Sequence, residues 1–336
     1  MEAFWTALVD SFTVGNVFLS FVATFAGITI GAIPGLSATM AVAILIPFTY
    51  KMGTVASLAM LLGVYCGAVY GGSISAILLN IPGTPAAIMT TLDGNPMAKR
   101  GEGGKAIGVS TIASFTGGII SCVFLIVCCS LLAMIAQKFS YPEYFVLAAF
   151  GICLVADSCS DSFLKGVISG FIGILLSLVG MDALTGQQRF TFGNAYLLGG
   201  IGIVPALIGL FGMSEILNQV FELGTVNKRK NKIGRVLPDR PLLKRLTPTI
   251  LRGSLIGTFI GALPGAGGPI AASIAYNTEK QNSKDPSKFG TGVPEGVAAP
   301  ESANNAVTGG AIIPMLALSV PGDRTTAVLM SAFIIK

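Results

Sequence analysis

Histidine is absent from the chain and charge is scarce: Asp, Glu, Lys and Arg make up only 11% of its 336 residues. A soluble globular domain carries roughly 25%. The missing imidazole removes the commonest metal ligand and general base. No Ser/His/Asp arrangement, Walker loop or dinucleotide fingerprint is present, so neither an enzyme nor an ATP-driven pump finds support. The N-terminus, Met1-Glu2-Ala3-Phe4-Trp5, lacks the basic stretch of a signal peptide, so the first apolar run is expected to stay as a membrane helix. The six cysteines form no CxxC pair, lie in or beside apolar runs and read as small buried hydrophobes. With 52% hydrophobic residues the chain carries more apolar surface than one soluble core can hide. The expected class is an all-α, polytopic integral membrane protein in a lipid bilayer.

Apolar runs long enough to span, about 20 residues, lie near 14–33, 55–79, 107–136 and 196–218. A shorter pair, 144–156 and 166–181, flanks Asp157, Asp161 and Lys165 and reads as a helical hairpin with a polar tip. Another run starts at Gly253, breaks at Pro264-Gly265 and resumes to Tyr276; the last pair, 305–320 and 325–335, is split by Pro321-Gly322. The chain stops inside that last segment, which reads as a truncated end. Nothing alternates with period two, so barrel strands are not expected. Between Glu222 and Arg252 nine Lys/Arg face only Glu222 and Asp239, which places this stretch in the cytoplasm by the positive-inside rule. The smaller basic loop from Asp93 to Lys105 belongs on the same side. The basic stretch has no interleaved aromatics, so no nucleic-acid partner is expected.

The most informative stretch is Tyr70 to Pro85, an apolar run that opens on Gly71-Gly72, carries Asn80 and breaks at Pro82-Gly83. Its parts return later. Ala68 to Gly72 is matched by Ala306 to Gly310, Ile81-Pro82-Gly83 by Val320-Pro321-Gly322, and Gly31 to Gly35 by Gly261 to Gly265, at offsets of 238, 239 and 230. Three matched pieces in one order predict an internal duplication. The expected organisation is a first repeat over 1–105, connecting helices over 106–221, a basic cytoplasmic loop over 222–252 and a second repeat over 253–336. The repeats are expected to be inverted. Paired Gly/Pro-interrupted apolar segments are the sequence pointer to a transport site, because non-helical backbone at membrane depth survives only where protein or water covers it.

Four breaks are candidate binding elements: Pro34-Gly35 with Ser37, Pro82-Gly83-Thr84, Pro264-Gly265 with Gly267, and Pro321-Gly322 with Asp323. If each starts a half-helix, its amides favour an anion; plain kinking with tight helix packing remains open. Asn80 is expected deep in its apolar run, where an amide must bond something; it either helps bind substrate or Na⁺ or makes an interhelical hydrogen bond. Asn304 and Asn305 are expected to open a helix, as ligands or as caps. Ser73, Asn80, Asn305 and Thr308 are candidate Na⁺ ligands, oxygen being what a hard cation prefers. Asp323 and Arg324 either pair with each other or face a cavity. Glu295 and Glu301 could each carry a coupling proton if buried, Glu295 reading more readily as an exposed loop acid. The polar stretch between Tyr276 and Asn304 is expected to be a functional loop.

Gly31 to Pro47, Tyr70 to Pro96 and Phe289 to Val328 resemble the large membrane subunit of tripartite tricarboxylate transporters, the TctA family. The likeness is carried by Gly-Gly-Ser-Ile-Ser-Ala-Ile-Leu-Leu-Asn-Ile-Pro-Gly-Thr-Pro at 71–85, by Leu92-Asp93-Gly94, and by Gly-Val-Ala-Ala-Pro-Glu-Ser-Ala-Asn-Asn-Ala at 296–306. Arg324 stands where the family leads one to expect a small residue. The resemblance implies a multi-pass carboxylate carrier of the bacterial inner membrane, driven by a Na⁺ or H⁺ gradient. It would work with a small membrane subunit, TctB-like, and a periplasmic solute-binding protein, TctC-like. The rival readings are a channel, a non-transporting membrane scaffold and, weakest, a membrane-embedded enzyme.

Overall fold

In a computed structural model of the chain, the structure describes residues 2–136, 163–182, 186–202 and 236–335, with isolated positions in 140–149 and 205–217. The expected hairpin around Asp157 and Asp161, about half of the 196–218 span and the basic residues 228–235 lie outside the described residues. The helices are α1 Glu2–Ser11, α2 Val14–Gly31, α3 Ala38–Thr49, α4 Thr54–Leu79, α5 Ile88–Lys99, α6 Gly103–Ala136, α7 Phe163–Ser177, α8 Arg240–Gly261, α9 Gly267–Asn282, α10 Glu295–Leu318 and α11 Arg324–Ile335. A 3₁₀ turn, Pro85–Ala87, precedes α5. Among the described residues three helices, within α2, α4 and α6, are long and apolar enough to cross a membrane. One small exception to the helical expectation is an antiparallel pair, β1 Gly180–Met181 with β2 Gln188–Arg189. The run expected to continue to 181 therefore ends as helix at Ser177.

The fold is organised around α4 and α10. Every residue from Gly296 to Met315 of α10 is buried, whereas α2 and α6 turn Phe18, Phe21, Phe25, Phe115 and Val123 outward. Large apolar side chains on the outer face and small or polar ones inside are the arrangement of a bundle whose surroundings are lipid. Helix α2 runs along α4, and α8 and α6 run along α10. Small residues set these approaches. A Cβ at Gly27 would meet the Val64 carbonyl and one at Gly71 that of Ile28; a Cβ at Gly257 would meet the Ala303 carbonyl and one at Gly310 that of Thr258. The α2–α4 contacts thus recur in α8–α10 at offsets of 230 and 239, those of the sequence matches.

Two expectations about the second half are corrected. The polar stretch after Tyr276 is not one long loop: α9 continues to Asn282 and α10 begins at Glu295. Asn304 and Asn305 lie in the middle of α10 and cap nothing. The helix was masked by the Gly-, Pro- and Glu-containing composition of the stretch: Pro300 is the sixth residue of α10, one turn past the positions where a proline is tolerated without loss of a ladder bond, and the helix runs through it. Residues 240–252, read as loop, form the start of α8, with Leu246, Thr249 and Ile250 buried.

The shorter helices cross between the halves. Helix α3 packs against α11 as well as α4, and Val328, Leu329 and Ala332 of α11 share one apolar core with Val42, Ile46, Leu61 and Val64. Helix α9 packs against α10, α8 and the turn Pro85–Ala87. The interrupted segments of each half are therefore in contact with those of the other.

Candidate functional site

The breaks at Gly83, Gly265 and Gly322 close on a neighbour through the glycine itself. After α2, Gly35 takes a left-handed conformation, φ 91°. After α8, Gly265 does the same at φ 82°, and its N–H donates to the Gly322 carbonyl at 2.9 Å. Gly83 donates to the Gly72 carbonyl at 3.2 Å and lies against the Gly31 carbonyl, leaving no room for a Cβ; Gly322 lies likewise against Gly261. The first and second breaks are thus joined, and so are the third and fourth.

The two pairs also meet. Thr39 and Thr325 share a buried hydroxyl–hydroxyl bond of 2.9 Å. Tyr65 donates its hydroxyl to Asp323 Oδ2 at 2.6 Å. Gly268 lies beside Ala86 and Asn304 Oδ1, so that a Cβ there would be 3.3 Å and 2.6 Å from them. Asn304 and Asn305 reach across to α4, donating to the carbonyls of Val69 and Cys66, each at a long 3.5 Å. All four breaks converge where α4 and α10 pass each other.

They are not equivalent. Ser37 caps α3, accepting the Met40 N–H at 3.1 Å. Asp323 caps α11, accepting the Thr326 N–H at 2.7 Å. The turn after Thr84 and helix α9 after Ala266 have no side-chain cap. Two half-helix starts are therefore closed by the protein's own oxygens and two are not. The two uncapped starts are those that face each other through Gly268 and Ala86. Two buried oxygens in this region have no hydrogen-bond partner among the described residues: Thr84 Oγ1 and Asn305 Oδ1. Such atoms are rare in a folded protein and point to a missing ligand or water.

Several expected roles change. Asn80 is not a buried amide. It is exposed, at the C-terminus of α4, with φ 59°, and its counterpart Ser319 ends α10 the same way at φ 56°. Asn tolerates this left-handed geometry at little expense. Asp323 bonds Tyr65 and Thr326, with no ion pair to Arg324 among the described residues. The Na⁺ set does not form one site. Ser73 is buried, donating to the Tyr70 carbonyl; Asn80 is exposed; Thr308 donates to the Asn305 carbonyl at 2.6 Å and faces Cys66. Glu295 is not an exposed loop acid: it opens α10 and pairs with Arg245 at 2.5 Å.

Four polar groups on the buried helix, Glu301, Asn304, Asn305 and Thr308, lie at i, i+3, i+4 and i+7, one stripe facing α4 to α6. That spacing was readable once a helix was known to cover it. Thr90, Ser110 and Ser114, which contact Glu301, carried no sequence signal beyond the i, i+4 pairing of the two serines.

The loop ahead of α10 is tied down from below. Asp93, fully buried in α5, accepts the N–H groups of Gly290, Gly292 and Val293 at 3.0, 2.7 and 2.9 Å and the Tyr276 hydroxyl at 2.8 Å. Arg100 donates to the carbonyls of Thr291 and Gly292. Nearby, burial pulls the Glu102 carboxyl up, but hydrogen bonds and charge from Arg100 and Lys105 outweigh it and hold it below its ordinary value. Hydrogen bonds to a charged group are worth about 1.5–3 kcal/mol, so Asp93→Asn should destabilise by roughly that much. Trypsin should then cut faster at Lys284 or Lys288, which flank the released loop. Unchanged cleavage would show that the carboxylate does not hold it.

A family model described as tripartite tricarboxylate transporter TctA family matches residues 17–336. The chain is 38% identical over 321 residues to an uncharacterized 52.8 kDa protein in the TAR-I ttuC' 3' region of Agrobacterium vitis, an alignment covering 96% of this chain and 64% of that protein. It is 45% identical over 80 residues to an uncharacterized protein in the TAR-II ttuC' 3' region of the same organism, covering 24% and 33%. The chain thus spans less than two thirds of the length of either relative. No solved structure matches.

Proposed function

The chain belongs to the tripartite tricarboxylate transporter TctA family, and from that premise we propose that it is the membrane carrier for small di- or tricarboxylates, binding them between the two uncapped half-helix starts. The observation that carries this reading is the asymmetry among the four breaks. Ser37 and Asp323 already fill two of them, while the turns at Thr84 and Gly267-Gly268 face each other without a side-chain cap. An anion placed there would meet backbone amides and the positive ends of two half-helices. Thr84 and Asn304 would add hydrogen bonds, and the unpartnered Asn305 oxygen would take a donor from substrate or a water. Pro34, Gly35, Pro82, Gly83, Pro264, Gly265, Pro321 and Gly322 would shape the backbone. Asp323, as a carboxylate, would position α11 rather than touch an anion.

The two halves would be inverted repeats that rock against each other for alternating access. The matched contacts of α2–α4 and α8–α10 support the duplication on which this reading builds. The bacterial inner membrane, a TctB-like small subunit, a TctC-like periplasmic binding protein and a Na⁺ or H⁺ gradient complete the proposal, all by way of the family. The test is uptake of labelled citrate and shorter carboxylates into vesicles holding the full assembly, with and without each gradient. Saturable, gradient-driven uptake is expected. Asn304→Ala with Thr84→Val should raise the half-saturating concentration about tenfold or more, by removal of two hydrogen bonds at about 1.4 kcal/mol per factor of ten. Unchanged uptake in that variant would remove the site; non-saturating flux without a gradient would make the protein a channel.

A further inference from the structure

Glu301 is buried to 1% exposure at a junction of four helices. Its Oε1 accepts from Thr90 of α5. Its Oε2 accepts from Ser114 at 3.2 Å and Ser110 at 3.3 Å, both of α6. Ser110 also reaches Ser73 of α4 at 2.7 Å, while Ser73 has already given its own proton to the Tyr70 carbonyl. All four hydroxyl residues are at most 3% exposed. No Lys or Arg pairs with Glu301 among the described residues.

Two things about this cluster are unusual. A buried carboxylate without a counter-ion costs several kcal/mol, and three hydroxyl bonds replace its hydration only in part. Acceptors also outnumber protons: Ser110 has one hydrogen within reach of both Ser73 and Glu301, so when it goes to Ser73 the Oε2 of Glu301 keeps Ser114 as its donor. A positive charge inside the cluster would balance the carboxylate and use the spare oxygen lone pairs. The available donors are a carboxylate and four hydroxyls, all oxygen, with a single negative charge. That is the donor set of a hard monovalent cation; a divalent ion would want more carboxylates.

We propose that Glu301, Thr90, Ser110 and Ser114, with Ser73 behind them, form a binding site for one Na⁺ ion. Asn304 follows Glu301 by three residues on α10, a rise of about 4.5 Å, and Thr90 follows Thr84 through one short turn. Occupancy of the cage would therefore bear on both sides of the proposed carboxylate site. The coupling role rests on the carrier reading of the previous subsection; cation binding itself does not. Tyr70, whose hydroxyl bonds Thr111 at 2.7 Å, is the ionisable group facing the cage from α4, and Asp93 of α5 is engaged with the 290–293 loop.

The test is thermal unfolding of the purified protein in detergent, titrated with NaCl against KCl and choline chloride at constant ionic strength and at two pH values. A ligand that binds only the folded state stabilises it by RT ln(1 + [L]/Kd), so the midpoint climbs with the logarithm of its concentration above Kd; Na⁺ should raise it and choline should not. Glu301→Gln should abolish the Na⁺ response. Ser110→Ala should raise the half-saturating Na⁺ concentration about tenfold, and it serves alone if Glu301→Gln gives no folded protein. The proposal is overturned if Na⁺ gives no specific shift, if the shift survives Glu301→Gln, if Ser110→Ala leaves half-saturation unmoved, or if acid alone stabilises, which would put a proton there instead. A Na⁺ response without carboxylate uptake would sink only the carrier reading. Uptake without a Na⁺ response would sink only the cage.

Discussion

Gly83→Leu is expected to leave almost no folded protein and no measurable uptake, and Gly322→Leu to do the same. A side chain at either position has nowhere to go. A Cβ at Gly83 would lie 2.7 Å from Ser75 Oγ and 2.8 Å from Gly72 Cα, and closer still to the Gly31 carbonyl. At Gly322 it would lie 2.5 Å from Ala311 Cα and 2.6 Å from the Gly261 carbonyl. These neighbours are mostly backbone in packed helices and cannot swing aside as a rotamer would. Overpacking of ordinary cores costs about 1–3 kcal/mol; displacing a helix backbone should exceed that, out of a total stability of about 5–15 kcal/mol. Even alanine should be poorly tolerated at both sites. Gly118, in α6, is the control, because a Cβ there meets nothing within 4 Å. Gly118→Ala should be neutral or slightly stabilising, alanine being the better helix former. Fluorescence-detected size exclusion with a thermal ramp measures all of these. A wild-type profile for Gly83→Ala and Gly322→Ala would mean that the breaks are not locked as described.

The second large effect is at Asp323. Its carboxylate does two jobs: Oδ1 accepts the Thr326 N–H and caps α11, and Oδ2 accepts the hydroxyl of Tyr65, itself 1% exposed. Loss of an N-cap costs about 0.5–2 kcal/mol, and a buried hydroxyl left unpaired about 1–3 kcal/mol. Asp323→Ala should therefore destabilise by roughly 2–5 kcal/mol, with uptake falling as the folded population does. Asp323→Asn should recover much of this, since an amide oxygen can still cap the helix and accept from Tyr65. Tyr65→Phe should cost less than Asp323→Ala. The double variant should fall short of the sum of the singles by about 0.5–3 kcal/mol, the range for residues in contact. Strict additivity of the two substitutions would show that the bond between α4 and the fourth break is absent in solution.

Much of the architecture was readable in the residues. The apolar runs at 14–33, 55–79 and 107–136 became α2, α4 and α6 with ends shifted by a few positions, because a long apolar run leaves the backbone few alternatives to a helix. The Pro-Gly pairs marked all four interruptions. Proline cannot continue the ladder, and the left-handed residues of these breaks are Gly35, Asn80, Gly265, Gly267 and Ser319. What misled was local chemistry read without its surroundings. Asn80 sat in an apolar sentence but ends its helix, and the stretch before Asn304 has a loop's composition yet forms two turns of helix, buried from Gly296 onward. Small and polar residues suit a loop in water, and equally suit a helix buried against other backbones, so composition alone does not separate them.

By itself the order of residues determined the membrane class, the family, the places where helices break and the recurrence of those breaks at offsets of 230 to 239. These follow from hydropathy, from proline's missing N–H and from repeated local patterns, each a property of short stretches. Only the tertiary structure decided that Ser37 and Asp323 close two half-helix starts while Thr84 and Gly267-Gly268 stay without a side-chain cap, and that Thr90, Ser110 and Ser114 gather around Glu301. A hydroxyl is a cap, a ligand or a spectator according to which oxygen or amide lies within about 3 Å of it. That neighbour comes from a distant part of the chain, brought there by glycines that let helix backbones touch.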